Sequence, residues 1–250
     1  MSNLALCAAV VTGFIVLLRT QSPRVYDIVI NHMTALWYKT VLERIPSGSR
    51  VLDIGIGTAT ALLTNAELLV DRDIMVRGVD FTKAYAEAAS KNAERVFGAG
   101  ERVKVVYGSV YDTVLLKELA EGKRRSTRLT PAKAKGGEFD AVYFSGSLAL
   151  MPDIPAALTC AGGVVREGGA IYVTQTWQKV AFPMMGTVKP MMKFATSIDF
   201  GKLTYEKDIR GVFKNWCESS GFTVELHEVI DGSVDNLMQS AYLTILRKAE

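Results

Sequence analysis

Histidine, cysteine and net charge are all scarce in this chain. Only His32 and His227 occur among 250 residues, which leaves few imidazoles for general-base chemistry. The three cysteines, Cys7, Cys160 and Cys217, are odd in number and widely spaced. No CxxC pair or Cys/His cluster exists, which argues against a structural zinc site or a disulfide framework and fits a reducing compartment. A formal net charge of only +3 argues against a dedicated nucleic-acid binder. Hydrophobic residues make up 49% and charged residues 22%, which excludes a disordered chain and suits one α/β domain with a full core.

Charge is missing altogether from residues 1–18, and Leu4–Leu18 is almost wholly apolar. As a helix, eighteen residues rise about 27 Å, near the lower limit for crossing a bilayer. Three readings compete: a single membrane anchor over residues 1–24, a cleaved signal peptide, or a buried helix. The signal peptide lacks its charged leading region and an A-x-A site. A matrix presequence is disfavoured because no arginine lies within the run. The anchor reading fits best. Arg19 and Arg24 then put the following domain, residues 25–250, on the cytosolic or matrix side of an endoplasmic reticulum or mitochondrial membrane.

The strongest signal lies in residues 50–60, Arg-Val-Leu-Asp-Ile-Gly-Ile-Gly-Thr-Ala-Thr. An apolar strand runs into Asp53, then Gly55 and Gly57, and a helical run begins near Ala59. A second short apolar run ends at Gly78-Val79-Asp80. A strand, a glycine turn, a helix and a strand ending in an acid suit a cofactor that carries a ribose. The dinucleotide pattern is broken, because Thr60 occupies the third glycine position. Asp53 would repel a pyrophosphate but suits a ligand with a positive amino group, so a dinucleotide-dependent reductase is disfavoured.

The pattern Asp-x-Gly-x-Gly-x-Ala resembles motif I of the class I S-adenosylmethionine-dependent methyltransferases, with Ala59 where a third glycine is common. Gly-Val-Asp-Phe at 78–81, Val-Val-Tyr-Gly-Ser-Val-Tyr-Asp at 105–112, Phe-Asp-Ala-Val-Tyr-Phe-Ser-Gly-Ser-Leu at 139–148 and Val-Arg-Glu-Gly-Gly-Ala-Ile-Tyr-Val-Thr at 165–174 are similar to the family's later strands and turns. The resemblance implies S-adenosylmethionine as cofactor. It puts Asp53 near the methionine amino group, and Gly55, Gly57 and Thr58 along the cofactor. Asp80 would then lie on the ribose diol, Phe81 on the adenine face, and Ser109 and Val110 at the adenine edge, with Ser145 at the end of the fourth strand. Many members carry an acid where this chain has Ser109, so the Val110 backbone or Asp112 would substitute. Without a ligand, the same glycines would make an ordinary tight turn and the acids a solvated strand end.

No metal site is expected, since no His, Asp and Glu cluster suggests a metal-assisted mechanism. Ser145-Gly146-Ser147-Leu148 replaces Asn/Asp-Pro-Pro-Tyr, which argues against an exocyclic amide or adenine amine as acceptor. Cys160 falls on a predicted helix without a partner cysteine, which disfavours covalent cytosine methylation. Small or lipophilic acceptors remain. By position alone His32, Tyr26, Tyr38, Tyr143 and Asp153 are candidate bases, each weighed against placement on a helix face or loop with no catalytic role.

Periodicity predicts a helix within 25–45 that caps the cofactor pocket, then helices near 59–71, 82–97, 112–121, 154–166 and 206–220. Strands are predicted at 50–54, 74–79, 103–107, 139–144, 169–176, 222–230 and 240–247. The alternation predicts a doubly wound α/β fold, a mostly parallel seven-stranded sheet with an antiparallel last strand. Two segments depart from it. Residues 122–137 hold six basic side chains between Lys123 and Lys135 and no acid. They read as an exposed insertion, or as a contact for anionic lipid headgroups. Residues 181–200 open with four methionines and two phenylalanines in fourteen residues. They read as an apolar lid over the substrate or a membrane-touching surface, against ordinary core packing. The expected function is membrane-anchored methyl transfer to a small, lipophilic, lipid-like acceptor. The rival is a methyltransferase-like accessory subunit of a membrane complex, such as a mitochondrial one, with little or no catalysis.

Overall fold

The computed structural model describes residues 31–122, 138–180 and 204–250. The expected anchor over 1–24, Tyr26, the basic segment 123–137 and the Met/Phe-rich segment 181–200 lie outside the described residues. Helix α1 runs through residues 31–42. Then follow β1 (Arg50–Ile54), α2 (Thr60–Leu63), α3 (Ala66–Asp71), β2 (Met75–Asp80), α4 (Lys83–Phe97), β3 (Val103–Tyr107), α5 (Thr113–Glu121), β4 (Phe139–Ser145), α6 (Ile154–Gly162), β5 (Val165–Gln178), α7 (Glu206–Ser220), β6 (Phe222–Val229) and β7 (Gln239–Lys248).

The strands form one sheet in the order β3-β2-β1-β4-β5-β7-β6. Pairing is parallel from β3 to β5, and β7 runs antiparallel to both β5 and β6. β1 therefore stands between β2 and β4, where the direction of winding reverses. Ligands of open α/β sheets sit outside the strand ends at such a point.

Alternation along β1 sends its side chains to two cores. Leu52 and Ile54 join Phe144, Leu158, Trp177, Phe213 and Trp216 on one face. Val51 joins Trp37, Tyr38, Ile45, Leu69, Tyr143 and Tyr172 on the other. Both faces are covered, so the central strands read as nearly unbroken apolar runs. α7 buries Ile209, Phe213 and Trp216 as one stripe, the spacing that marked it as amphipathic. α4 turns Ala86, Ala89 and Ala93 to the sheet.

Two elements differ from expectation. The helix expected over 59–71 is broken at Asn65, whose side-chain amide donates to the carbonyls of Ala61 and of Ala35 on α1. Side-chain competition for backbone carbonyls ends α2 and ties α1 to it. The helix expected to reach 166 stops at Gly162, because β5 starts at Val165 opposite Phe139. A bulge then absorbs the next residues before Ala170 pairs with Ala141.

Chain direction fixes which segments leave from which edge. α1 runs from the carboxyl edge of the sheet, where Trp37 donates to Ser233 at 2.8 Å, to the amino edge, where Arg72 donates to the Ile45 carbonyl at 2.7 Å. Val180 and Thr204, which flank the Met/Phe-rich segment, stand at the carboxyl edge. Gly122 and Glu138, which flank the basic segment, stand at the amino edge, where Arg50 binds the carbonyls of Ala120 and Glu138.

Gly55 shows how tightly the turn after β1 is built. Its φ is 75°, and an added Cβ would lie 2.5 Å from Ser147 Cβ. Gly57 shares a positive φ of 61°, but nothing lies within 4 Å of its added Cβ. Gly55→Ala should therefore lose about 3 kcal/mol of stability, from overpacking and left-handed strain together, and Gly57→Ala about 1 kcal/mol from strain alone. Chemical denaturation of the two variants checks this, and equal losses would refute the close approach.

Candidate functional site

The glycine turn is clamped onto the end of β2. Gly55 N–H donates to the Val79 carbonyl at 2.7 Å, and Gly57 N–H donates to Asp80 Oδ2 at 2.9 Å. Ile56 fills the space over Gly78, where a Cβ would lie 2.7 Å from Ile56 Cδ1. Ala59 takes the left-handed conformation with φ 59° and turns the chain into α2. Thr58 is held through its hydroxyl to Thr60 at 2.9 Å and through its carbonyl to Asn92 at 3.0 Å. From the other side, Ser147 donates to the Ile54 carbonyl at 2.5 Å. Ser147 entered the sequence reading only as part of a replaced motif. The signal for its role is a small residue in the turn after β4, facing Gly55.

Asp80 is 7% exposed and accepts one backbone N–H on each oxygen, Gly57 on Oδ2 and Thr82 on Oδ1 at 2.8 Å. A carboxylate has about four acceptor positions, so the two that remain can take a diol. Phe81 beside it is 75% exposed and free to pack on a flat ring. Val110 is buried, and Ser109 accepts from Tyr111 N–H at 3.2 Å across the turn after β3. Asp112 caps α5 by accepting from Leu115 N–H at 3.0 Å.

Asp53 is the unusual group. It is 1% exposed on the face covered by α1, and its Oδ2 accepts from the Tyr38 hydroxyl at 2.7 Å. Its Oδ1 is buried and has no hydrogen-bond partner among the described residues. Burial pushes the Asp53 carboxyl up to about 7; the Tyr38 hydrogen bond opposes this and the Asp80 charge adds to it. A buried acceptor without a partner costs about 1–3 kcal/mol, more when charged. A ligand ammonium would supply the missing partner once the groups that cover Oδ1 move aside to admit it.

The candidate bases separate. Tyr143 is buried, its hydroxyl pairs with Thr174 at 2.7 Å, and burial holds its phenol well above the usual range. That arrangement suits structure better than proton removal. Tyr38 meets the Tyr143 ring edge-on at 5.1 Å and is likewise pushed up, first by burial and then by Asp53. His32 is exposed on α1. Asp153 caps α6 and exchanges backbone hydrogen bonds with the Tyr111 hydroxyl. Ser145 is half-buried at the end of β4. The turns after β1, β2, β3 and β4 thus bring Asp53, Gly55, Gly57, Thr58, Asp80, Phe81, Ser109, Val110 and Ser145 to one edge of the sheet, while His32 stands on the covering helix.

A separate hollow of about 570 Å³ lies along β3 where α4 crosses it, lined by Lys83, Ser90, Lys91, Val105, Tyr107 and Leu115. It contains none of the turn residues above and mixes charge with apolar surface, so the chemistry is assigned to the turns.

Solved structures share this architecture. A 4+2 cyclase aligns with TM-score 0.60 and 17% identity over 86% of this chain and 81% of its own. Magnesium protoporphyrin IX methyltransferase from Synechocystis PCC 6803, with bound SAH, aligns with TM-score 0.55 and 12% identity, covering 88% of this chain and 84% of its own. A candidate sarcosine dimethylglycine methyltransferase from Galdieria sulphuraria gives 0.58 and 10%, covering 86% and 85%. At these identities the likeness establishes the fold. No family model and no curated protein matches the chain.

The raised Asp53 carboxyl makes a signed prediction. In the unfolded chain it ionises near 3.8, in the folded one near 7. Between those values the folded state holds one more proton, so stability falls as pH rises from about 4 to 7 and levels off above. Asp53→Asn removes this slope. Its stability relative to wild type should climb by up to about 4 kcal/mol over that window, read by denaturation at pH 4, 5.5, 7 and 8. A constant difference would show that Asp53 ionises normally.

Proposed function

We propose that this chain is an S-adenosylmethionine-dependent methyltransferase acting on a small, lipophilic acceptor. The observation that carries the reading is the buried Oδ1 of Asp53, a carboxylate oxygen without a partner among the described residues, beside a glycine turn and a second, partly used carboxylate. Asp53 would meet the donor's ammonium, Gly57 leaves its backbone open to the ligand, and Asp80 would accept the ribose hydroxyls. Phe81 would cover the adenine, with the Ser109 hydroxyl and Val110 backbone at its edge. When bound, the cofactor supplies a methyl group on a sulfonium, already activated for in-line displacement. The protein's own contribution is orientation and exclusion of water, which fits the lack of an obvious strong base among the candidates above.

The lipophilic acceptor is supported by the carboxyl edge. Phe81, Tyr107, Leu150, Val180 and Leu237 are all more than half exposed there. The chain before α1 and the Met/Phe-rich segment both join the described residues at this edge, while the basic segment joins at the opposite one. The proposed orientation therefore turns the carboxyl edge toward a membrane held by residues 1–24, and assigns lipid contact to its apolar rim rather than to residues 123–135. No helix among the described residues is long and apolar enough to cross a membrane, so the anchor rests on the sequence of the first eighteen residues.

A second reading, an accessory subunit of a membrane complex that binds donor poorly or without turnover, is favoured by two observations. Ser109 stands where an acid is common, and Tyr143 is committed to Thr174. The shared fold of a cyclase also warns that architecture does not dictate chemistry.

Calorimetry with S-adenosylmethionine and S-adenosylhomocysteine should give micromolar binding that Asp80→Ala weakens at least about tenfold, the loss of charge-assisted hydrogen bonds. Undetectable binding by the wild type overturns the enzyme reading. Removing residues 1–24 should release the protein from membranes and leave donor affinity unchanged. A truncated protein that stays in the membrane pellet contradicts the anchor.

A further inference from the structure

Helix α1 does more than cover the sheet. It delivers one hydroxyl, that of Tyr38, to one oxygen of a buried carboxylate, 2.7 Å away. The groups that act on the Asp53 charge are Tyr38 from α1, Asp80 from β2 and Tyr143 from β4. None of these is a cation. The Tyr38 hydroxyl is therefore the one donor to the Asp53 side chain among the described residues. Its own position is fixed by its edge-on contact with Tyr143 and, one residue earlier, by the bond from Trp37 to Ser233.

We propose that Tyr38 is a positioning residue for the methyl donor: by binding Oδ2 it holds the Asp53 carboxylate in one rotamer and leaves Oδ1 for the ligand ammonium. The inference rests on the methyltransferase reading, and it makes α1 part of the donor site. A phenol is suited to the task because it donates to the carboxylate without neutralising it. A lysine or arginine there would form the ion pair that the ligand is meant to form.

Two consequences separate positioning from mere packing. Without the hydroxyl, the buried carboxylate loses the one donor found among the described residues, so it should ionise at higher pH. It should also bind the donor more weakly at neutral pH, because less of it is charged and its orientation is no longer fixed.

The test compares wild type, Tyr38→Phe, Tyr143→Phe, Asp53→Asn and the Asp53→Asn/Tyr38→Phe double variant, all in the full chain. Asp53 titration is followed by carboxyl carbon NMR in the ligand-free protein, and S-adenosylhomocysteine affinity is measured at pH 7. Tyr38→Phe should raise the Asp53 midpoint by about one pH unit and weaken binding at least about tenfold. Tyr143→Phe should move both less. In the Asp53→Asn background the Tyr38 substitution should have little effect on affinity, since coupled groups are not additive. That double variant has no buried charge to satisfy and keeps the comparison open if Tyr38→Phe alone proves too unstable. An unmoved midpoint with unchanged affinity overturns the proposal, as does an equal loss in the Asp53→Asn background. If the midpoint shifts but wild type binds no S-adenosylhomocysteine, the methyl-donor reading fails and takes the positioning role with it.

Discussion

A carboxylate buried at the end of the central strand is the constraint around which this structure is arranged. Asp53 sits on β1, between the two strands where the winding reverses, and faces the helix that covers them. Burying a charge there without a cation is costly, and the protein meets only part of that cost through Tyr38. One oxygen stays unpartnered and the carboxyl is pushed up to about 7. A natural sequence keeps such a local conflict where function requires it. The simplest function is a ligand that brings its own positive charge.

The surrounding turns follow from holding that carboxylate beside the glycine turn at the carboxyl edge of the sheet. Gly55 has no side chain because Ser147 occupies the space, and Ser147 in turn locks the turn after β4 onto β1. Gly57 has open space instead, and its N–H is spent on Asp80 rather than on solvent. Asp80 thus has two roles. It fixes the glycine turn and the start of α4 through backbone hydrogen bonds, and it keeps two acceptor positions unused. These contacts link the ends of β1, β2 and β4 into one edge, as a preorganised binding site requires.

Much of this was legible in the sequence, for physical reasons. Strands β1 to β4 are short apolar runs closed by glycine or an acid, so their bounds could be read within a residue or so. The order of helices and strands dictated the doubly wound sheet. What could not be read came from contacts distant in sequence. Asn65 breaks a helix because it reaches Ala35, thirty residues away. Tyr38 stood among several candidate bases, and nothing local distinguishes a tyrosine that removes a proton from one that steadies a carboxylate. Tyr143 was a candidate base by position alone, but alternation turns it inward to Thr174. The edge from which each insertion leaves depends on topology, which is why the basic and the Met/Phe-rich segments, alike as surface features in the sequence, attach to opposite edges.

The donor site requires Asp53 to be about half protonated in the free protein at pH 7 and ionised when the donor is bound. Proton exchange on binding measures this directly, through the heat of S-adenosylhomocysteine binding in buffers of different ionisation enthalpy. At pH 6 the account predicts release of close to one proton per ligand, shrinking as pH rises through about 7. Binding heats at pH 6 that are the same in every buffer would mean that Asp53 is charged before the ligand arrives, and would contradict the account.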